Sequence, residues 1–106
     1  MRFCRADSLD ELESGSFGIK EPRADAKELL PKNAVIFLPA LSVDKDGYRL
    51  GYGKGYYDRY LAKHAAFKPF LVGVIYDELV LGRLPRDEHD LPCDVAVSES
   101  GVISWF

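Results

Sequence analysis

Two continuous apolar runs, Ala34-Val-Ile-Phe-Leu38 and Phe70-Leu-Val-Gly-Val-Ile-Tyr76, constrain this chain more than any other feature. Neither alternates apolar with polar residues, so each reads as a strand buried on both faces, the pattern of a parallel sheet. Parallel neighbours need a long crossover between them, and the intervening segment has the parts of one. Pro39 closes the first run, and Asp44-Lys-Asp-Gly47 is a turn. Arg49-Leu-Gly-Tyr-Gly-Lys-Gly55 is a loop, because glycines at 51, 53 and 55 forbid a stable strand or helix. From Tyr56 the period changes: Tyr57, Tyr60, Leu61 and His64 recur at i, i+3, i+4 and i+7. That spacing predicts a helix of about three turns from Gly55 to Ala66 with the stripe facing the core, ended by Lys68-Pro69. Strand, glycine loop, helix and strand in this order form a right-handed crossover unit, and the architecture is α/β.

The remaining segments are shorter. Met1 to Arg5 permits a short strand. Ser8 with Glu11 three residues on has the form of a capping box over a single helical turn before Gly15 and Gly18. Gly15 to Pro31 reads as an irregular connection with one short helix around Ala24 to Leu30. Asp77 to Asp90 holds a helical turn and then a charged loop, Leu84-Pro-Arg-Asp-Glu-His-Asp90. Asp94 to Val97 and Val102 to Trp105 are two short strands around the Ser-Glu-Ser-Gly turn at 98 to 101. At 106 residues, one domain spanning 1 to 106 is expected.

Composition excludes several classes of function. Apolar residues make up 47% and charged residues 29%, which is globular rather than disordered composition. A formal charge of -3 offers no basic field for nucleic acid, although a few local cations and backbone N–H groups suffice for a small anion. The only cysteines, Cys4 and Cys93, lack the spacing of a zinc site or a disulfide framework and fit a cytoplasmic protein. No apolar run is long enough to span a membrane, and Arg5 and Asp7 come too early for a signal peptide.

Chemistry concentrates in the glycine loop. In a crossover unit ligands collect at the carboxyl ends of the strands, where this loop lies. Gly51, Gly53 and Gly55 let the backbone approach a ligand, free N–H groups there and at the helix start would point at an anion, and Arg49 and Lys54 add two cations. The spacing is neither the dinucleotide-binding fingerprint nor the P-loop of NTPases. Glycines alone serve a tight connection equally well; the flanking cations favour a phosphate loop. Asp58, in the first helical turn, either stabilises the helix dipole or gives magnesium an oxygen, with Asp90 as the natural second ligand. Tyr57 fits the apolar stripe, which turns Tyr56 toward the loop mouth, to stack on a flat heterocycle or to lie on the surface. His64 and His89 are most simply a helix-face and a loop histidine. Cys93 beside Pro92 reads as a small buried residue, and no nucleophilic triad or dyad can be argued.

The assembled run Leu38-Pro-Ala-Leu-Ser-Val-Asp-Lys-Asp-Gly-Tyr-Arg-Leu-Gly-Tyr-Gly-Lys-Gly-Tyr-Tyr-Asp-Arg59 closely resembles the 5-formyltetrahydrofolate cyclo-ligase family, the methenyltetrahydrofolate synthetases. That family typically shows a Pro-Gly-x-x-Phe-Asp turn, Arg-Leu-Gly-x-Gly-x-Gly-Tyr-Tyr-Asp, a Leu-Pro-x-x-x-x-Asp loop and a closing Val-Asp-x-Val strand. Their counterparts here are Asp44, Arg49 to Asp58, Leu84 to Asp90 and Cys93 to Val97, and Phe17-Gly-Ile-Lys-Glu-Pro22 is similar to the family's Gly-Ile-x-Glu-Pro connection. Ala40 and Val43 stand where the family usually has Gly and Phe.

The resemblance implies a small Rossmann-like, three-layer α/β fold with a mixed, mostly parallel sheet, of which this chain is the C-terminal portion. It implies that Arg49, Leu50, Gly51, Tyr52, Gly53, Lys54, Gly55, Tyr56 and Tyr57 contact ATP, that Tyr52 to Tyr56 also border the folate, and that Asp58 and Asp90 hold Mg2+. Arg49, Lys54 and Tyr56 are then the catalytic candidates. The reaction implied is phosphorylation of the formyl oxygen of 5-formyltetrahydrofolate by ATP, attack by N10 and departure of phosphate. The products are 5,10-methenyltetrahydrofolate, ADP and phosphate; the alternative is a non-catalytic nucleotide- or folate-binding protein. Family members carry a further N-terminal segment before the counterpart of Met1. Without it a sheet edge or apolar face is left uncovered, and self-association is expected.

Overall fold

A computed structural model of the chain describes residues 1–50, 55–81 and 91–104. They pack as two compact units, Met1–Leu30 and Pro31–Phe106.

In the first unit, β1 (Phe3–Cys4) pairs antiparallel with β4 (Glu28–Leu29), and β2 (Leu12–Ser14) pairs antiparallel with β3 (Lys20–Pro22). The cap at Ser8 forms as expected: its N–H donates to Glu11 Oε2 at 2.7 Å, opening a 3-10 turn over Leu9–Glu11. The helix expected around Ala24 to Leu30 does not form. Arg5 N–H donates to the Lys27 carbonyl at 2.8 Å and Glu28–Leu29 is β4, so strand pairing takes the backbone groups a helix would need.

The second unit is built on a four-stranded sheet in the order β11-β10-β8-β5, comprising β5 (Val35–Pro39), β8 (Phe70–Val74), β10 (Val95–Ser98) and β11 (Gly101–Ser104). β5 pairs with β8 and β8 with β10 in parallel, while β10 and β11 form an antiparallel hairpin, so the sheet is mixed and mostly parallel. A smaller sheet, β7-β6-β9, joins β6 (Ser42–Asp44) to β7 (Arg49–Leu50) antiparallel and to β9 (Val80–Leu81) parallel. Helix α1 (Tyr56–Lys63) begins after Gly55 and buries Tyr60 and Leu61. It is shorter than its periodicity predicts, because the chain tightens into a 3-10 turn at Ala65–Phe67 and Lys68 closes it at φ 48° before Pro69.

The edge strand β5 is apolar on both sides but covered on one, whereas in the interior strands Val72 and Val95, on the same face as Phe37, are buried. Ile36 and Leu38 are buried, with Leu71 and Ala96, whereas Val35 and Phe37 are 58% and 63% exposed. The register places Val35 beside Phe70 and Pro39 beside Val74, so exposed Val35, Phe37, Phe70 and Val74 share one face. The expectation of burial on both faces therefore fails for β5: the sequence is two-sided and its cover, in this chain, is one-sided. On the covered side Val43, Ala40, Ile75 and Ala96 form a tight cluster.

Candidate functional site

The site grows from the end of β5. After Pro39 the chain enters β6, turns at residues 44–48 and returns as β7. The turn is set by Asp44, which is fully buried and whose Oδ1 accepts the N–H of Asp46 at 2.9 Å and of Tyr48 at 3.0 Å. Its own N–H donates to the Tyr48 carbonyl at 2.9 Å, and the Gly47 carbonyl accepts Cys93 N–H at 2.9 Å. The expected turn thus exists. Asp44 is the structural reason for the Asp44-Lys-Asp-Gly47 turn, a role the sequence signalled only as turn chemistry.

This hairpin delivers Arg49 to the carboxyl end of the sheet. Val43 is its cross-strand partner, and Leu41 N–H donates to the Leu50 carbonyl at 2.8 Å, fastening the strand that carries it. The Arg49 side chain is only 5% exposed. Nη1 donates to the Pro39 carbonyl at 3.1 Å and Nη2 to Asp58 Oδ1 at 3.3 Å, while Cζ lies 5.6 Å over the Tyr57 ring. Two predicted site residues of opposite charge are therefore brought together, from either side of the glycine-rich run at 51–55.

Helix α1 begins at Gly55, which caps it at φ 68°, ψ 18°, a left-handed conformation that a side chain would strain. The helix ladder starts with Arg59 N–H to the Gly55 carbonyl at 3.0 Å, and a glycine cap brings no side-chain oxygen to the first-turn amides. An anion is the natural complement of that end. Asp58 stands in the same turn with its side chain 43% exposed, and a bare phosphate would meet its negative charge. A divalent cation between the two resolves the conflict, and a hard carboxylate oxygen suits magnesium. Among the described residues no three His, Cys, Asp or Glu side chains gather as a metal site; an ion held by one carboxylate would take its other ligands from phosphate and water.

Tyr56 is 53% exposed, as its phase relative to Tyr57 predicts, and the Arg59 guanidinium lies 5.3 Å over its ring. One ring face is therefore covered by a cation. His64 is a helix-face histidine: Nδ1 lies 3.0 Å from the Tyr60 carbonyl and the two rings are 4.2 Å apart. Cys93 is 2% exposed, and burial, partly offset by the nearby Arg49 charge, pushes its thiol up to about 11. It is an inert core residue at neutral pH, as expected. Gly51, Tyr52, Gly53, Lys54 and Asp90, with the rest of the Leu84 to Asp90 loop, lie outside the described residues.

A cavity of about 430 Å³ opens at the carboxyl ends of β5, β8 and β10, lined by Pro39, Ala40, Ile75, Tyr76, Ser98 and Glu99 among others. Its size is that of a small-molecule site. Pro39 belongs to both features: its residue lines the cavity and its carbonyl holds Arg49. Sequence reasoning missed this cavity, because Tyr76 and Ser98 to Glu99 carry no motif. Asp77, next to it, receives the hydroxyls of Ser98 and Ser100. Those hydrogen bonds, Ser100's the stronger, hold its carboxyl below the usual carboxylate range.

Residues 1–99 match the 5-formyltetrahydrofolate cyclo-ligase family. The 5-formyltetrahydrofolate cyclo-ligase of Mus musculus is 35% identical over 111 aligned positions, covering 98% of this chain and 55% of that protein. Its Saccharomyces cerevisiae counterpart is 37% identical over 113, covering 98% and 53%. An NMR structure of Aquifex aeolicus 5,10-methenyltetrahydrofolate synthetase is 44% identical with a TM-score of 0.77, over 96% of this chain and 51% of the other. The chain spans about half the length of the curated relatives it matches. A family match over nearly every residue, with bacterial, yeast and mouse relatives at this identity, leads to one conclusion: the chain belongs to the 5-formyltetrahydrofolate cyclo-ligase family.

Proposed function

We propose that this chain carries the nucleotide- and folate-binding part of an enzyme that cyclises 5-formyltetrahydrofolate to 5,10-methenyltetrahydrofolate at the expense of ATP, which becomes ADP and phosphate. The observation that carries the reading is the Arg49–Asp58 pair at 3.3 Å, which places an acidic and a basic group at the two ends of a glycine loop leading into a helix. The relatives' names supply the substrate.

In this reading the segment from Arg49 to Tyr57 receives ATP. Backbone N–H groups of the loop and of the α1 start meet the phosphates, and Lys54 adds a cation. Asp58, with Asp90, holds magnesium, which neutralises phosphate charge when bound. The exposed Tyr56 borders the folate, and the cavity beside Pro39 has room for a flat ring system. The chemistry asks little covalent work of the protein. Making formyl oxygen a leaving group depends on positioning the donor phosphate and stabilising its charge, which suits a site of amides, cations and one carboxylate. The inert Cys93 agrees with a reaction that needs no protein nucleophile.

The protein's location in this reading is the cytoplasm, which the two free thiols fit; no helix among the described residues is long and apolar enough to cross a membrane. The exposed face of Val35, Phe37, Phe70 and Val74 is where self-association would occur.

The test is to mix the chain with ATP, magnesium and 5-formyltetrahydrofolate and follow methenyl absorbance, with calorimetry of ATP binding in parallel. Product, with magnesium-dependent ATP binding lost in Asp58→Ala, is the expected outcome. Binding without product would assign this chain the binding role alone, and neither would reject the reading.

A further inference from the structure

We infer that the cavity at the carboxyl ends of β5, β8 and β10 is a ring subsite, in which Tyr76 and Glu99 receive a flat, uncharged heterocycle that carries an amino group. The inference rests on the reading above, in which ATP and the folate meet beside Pro39, since each of them ends in such a ring. The cavity holds about 430 Å³, and its walls are the apolar ends of three strands, with Ala40, Ile75 and Val97 among them. Among the described residues that line it there is no cation, and the charged group is Glu99. Phosphates and the carboxylates of a folate tail are therefore repelled from it, whereas a neutral ring with N–H donors is complementary to it.

Two side chains give the cavity its chemistry. Tyr76 is exposed, yet the backbone that carries it is fastened, because the Ile75 N–H donates to the Val97 carbonyl at 3.0 Å. The aromatic ring is thus offered from a fixed strand end, and a base stacked on such a platform gains about five- to a hundredfold in affinity. Glu99 is oriented from the β10–β11 turn. Its Oε1 accepts the Asp77 N–H at 2.6 Å, and an ionised carboxylate has about four acceptor sites, so capacity remains for a ring amino group. Asp77 in turn receives the hydroxyls of Ser98 and Ser100, which tie the residue after Tyr76 to the turn that carries Glu99. One bracket therefore holds both recognition groups. The opposing effect is Coulombic: ATP and the folate are anions, and Glu99 repels them as wholes while it attracts their ring N–H groups. Repulsion acts on a ligand with or without its ring, whereas stacking and the N–H contact act on the ring alone. Comparing each ligand with its ring-free fragment separates the two.

The experiment is calorimetric titration of four probes into the whole chain with magnesium present: ATP and inorganic tripolyphosphate as one pair, 5-formyltetrahydrofolate and p-aminobenzoylglutamate as the other. The unaltered protein is compared with Tyr76→Ala, Tyr76→Phe and Glu99→Gln, all at exposed positions, with thermal melts alongside to show that each variant folds. Tyr76→Ala should weaken at least one ring-bearing probe about tenfold and leave its ring-free counterpart within about twofold. Tyr76→Phe keeps the ring and should stay within about twofold of the unaltered protein throughout. Glu99→Gln should weaken the same ring-bearing probe about threefold relative to its counterpart. A loss confined to ATP assigns the cavity to the base, and one confined to 5-formyltetrahydrofolate assigns it to the bicyclic ring of the folate; either supports the inference. Equal losses for a probe and its ring-free counterpart, a Tyr76→Phe loss as large as that of Tyr76→Ala, or no loss for either ring-bearing probe overturns it. Those outcomes reject the subsite and leave the proposed function standing; binding of neither ATP nor 5-formyltetrahydrofolate by the unaltered chain rejects the proposed function and the subsite together.

Discussion

At the scale of single residues, Cys93 shows how burial decides what a group can do. Its thiol ordinarily titrates at 9.0 and is pushed to about 11, first by burial and against the attraction of Arg49. The folded state thus keeps its proton where the unfolded chain releases it. The stabilisation is complete below pH 9 and is lost as pH rises through 11, a gap of about 3 kcal/mol. Chemical denaturation of the protein and of Cys93→Ala at pH 8 and pH 10.5 should show a fall for the former that the variant lacks; equal falls would refute the assignment. At pH 8, iodoacetamide should label the half-exposed Cys4 well before Cys93. Both the site charges and this inert thiol were legible in the sequence as residue types at a strand-loop-helix junction. What was not legible is that Arg49 and Asp58 face each other. Nine positions and three glycines separate them, and only the β6–β7 register and the phase of α1 close that distance.

Among the elements, β8 depends on a residue without a side chain. A Cβ at Gly73 would sit 3.2 Å from Cys93 Sγ and 3.7 Å from Val43 Cγ1, so the smaller sheet approaches the larger one over this glycine. Gly73→Ala should destabilise by about 1–3 kcal/mol through overpacking, and Cys93→Ala should recover part of that loss because it empties the contested space. Denaturant midpoints of the single and double variants decide it; strictly additive losses would contradict the contact. The crossover's strands, its turn and the β10–β11 hairpin follow from periodicity and turn chemistry, whereas Arg49 and Leu50, expected in a loop, are drawn into β7 by pairing with β6. The helix expected around Ala24 to Leu30 does not form, because local propensity there gives way to pairing with β1, a partner more than twenty positions away. α1 likewise stops early: its stripe reaches His64, but the backbone tightens ahead of Pro69.

For the whole molecule, the telling feature is the apolar sheet face that stays in water. Val35, Phe37, Phe70 and Val74 are the sort of residues that a parallel sheet normally covers, and the run Ala34 to Leu38 is two-sided in composition although only one side is covered. Sequence periodicity reports what a strand can bury and does not report what is present to bury it. The protein should therefore associate with itself as its concentration rises, and Phe37→Glu, at an exposed position outside the folded core, should shift sedimentation toward monomer with little change in melting temperature. Unchanged association in that variant would place the contact elsewhere. The parallel pairing of β5 with β8 has a consequence in time as well as in space. β10 and β11 meet across the two-residue link Glu99-Ser100, so their hairpin closes on the microsecond scale. β5 reaches β8 across a loop that takes in the β6–β7 turn and all of α1, and β6 reaches β9 across one at least as long, from Val43 to Val80; both close more slowly than the hairpin. Arg49 and Asp58 both lie within these two loops, so they are expected to be brought together late in assembly, which pulsed hydrogen exchange during refolding would check. A nucleotide bound there, as proposed, would grip a late-forming part of the chain, so its binding should slow unfolding far more than it speeds folding.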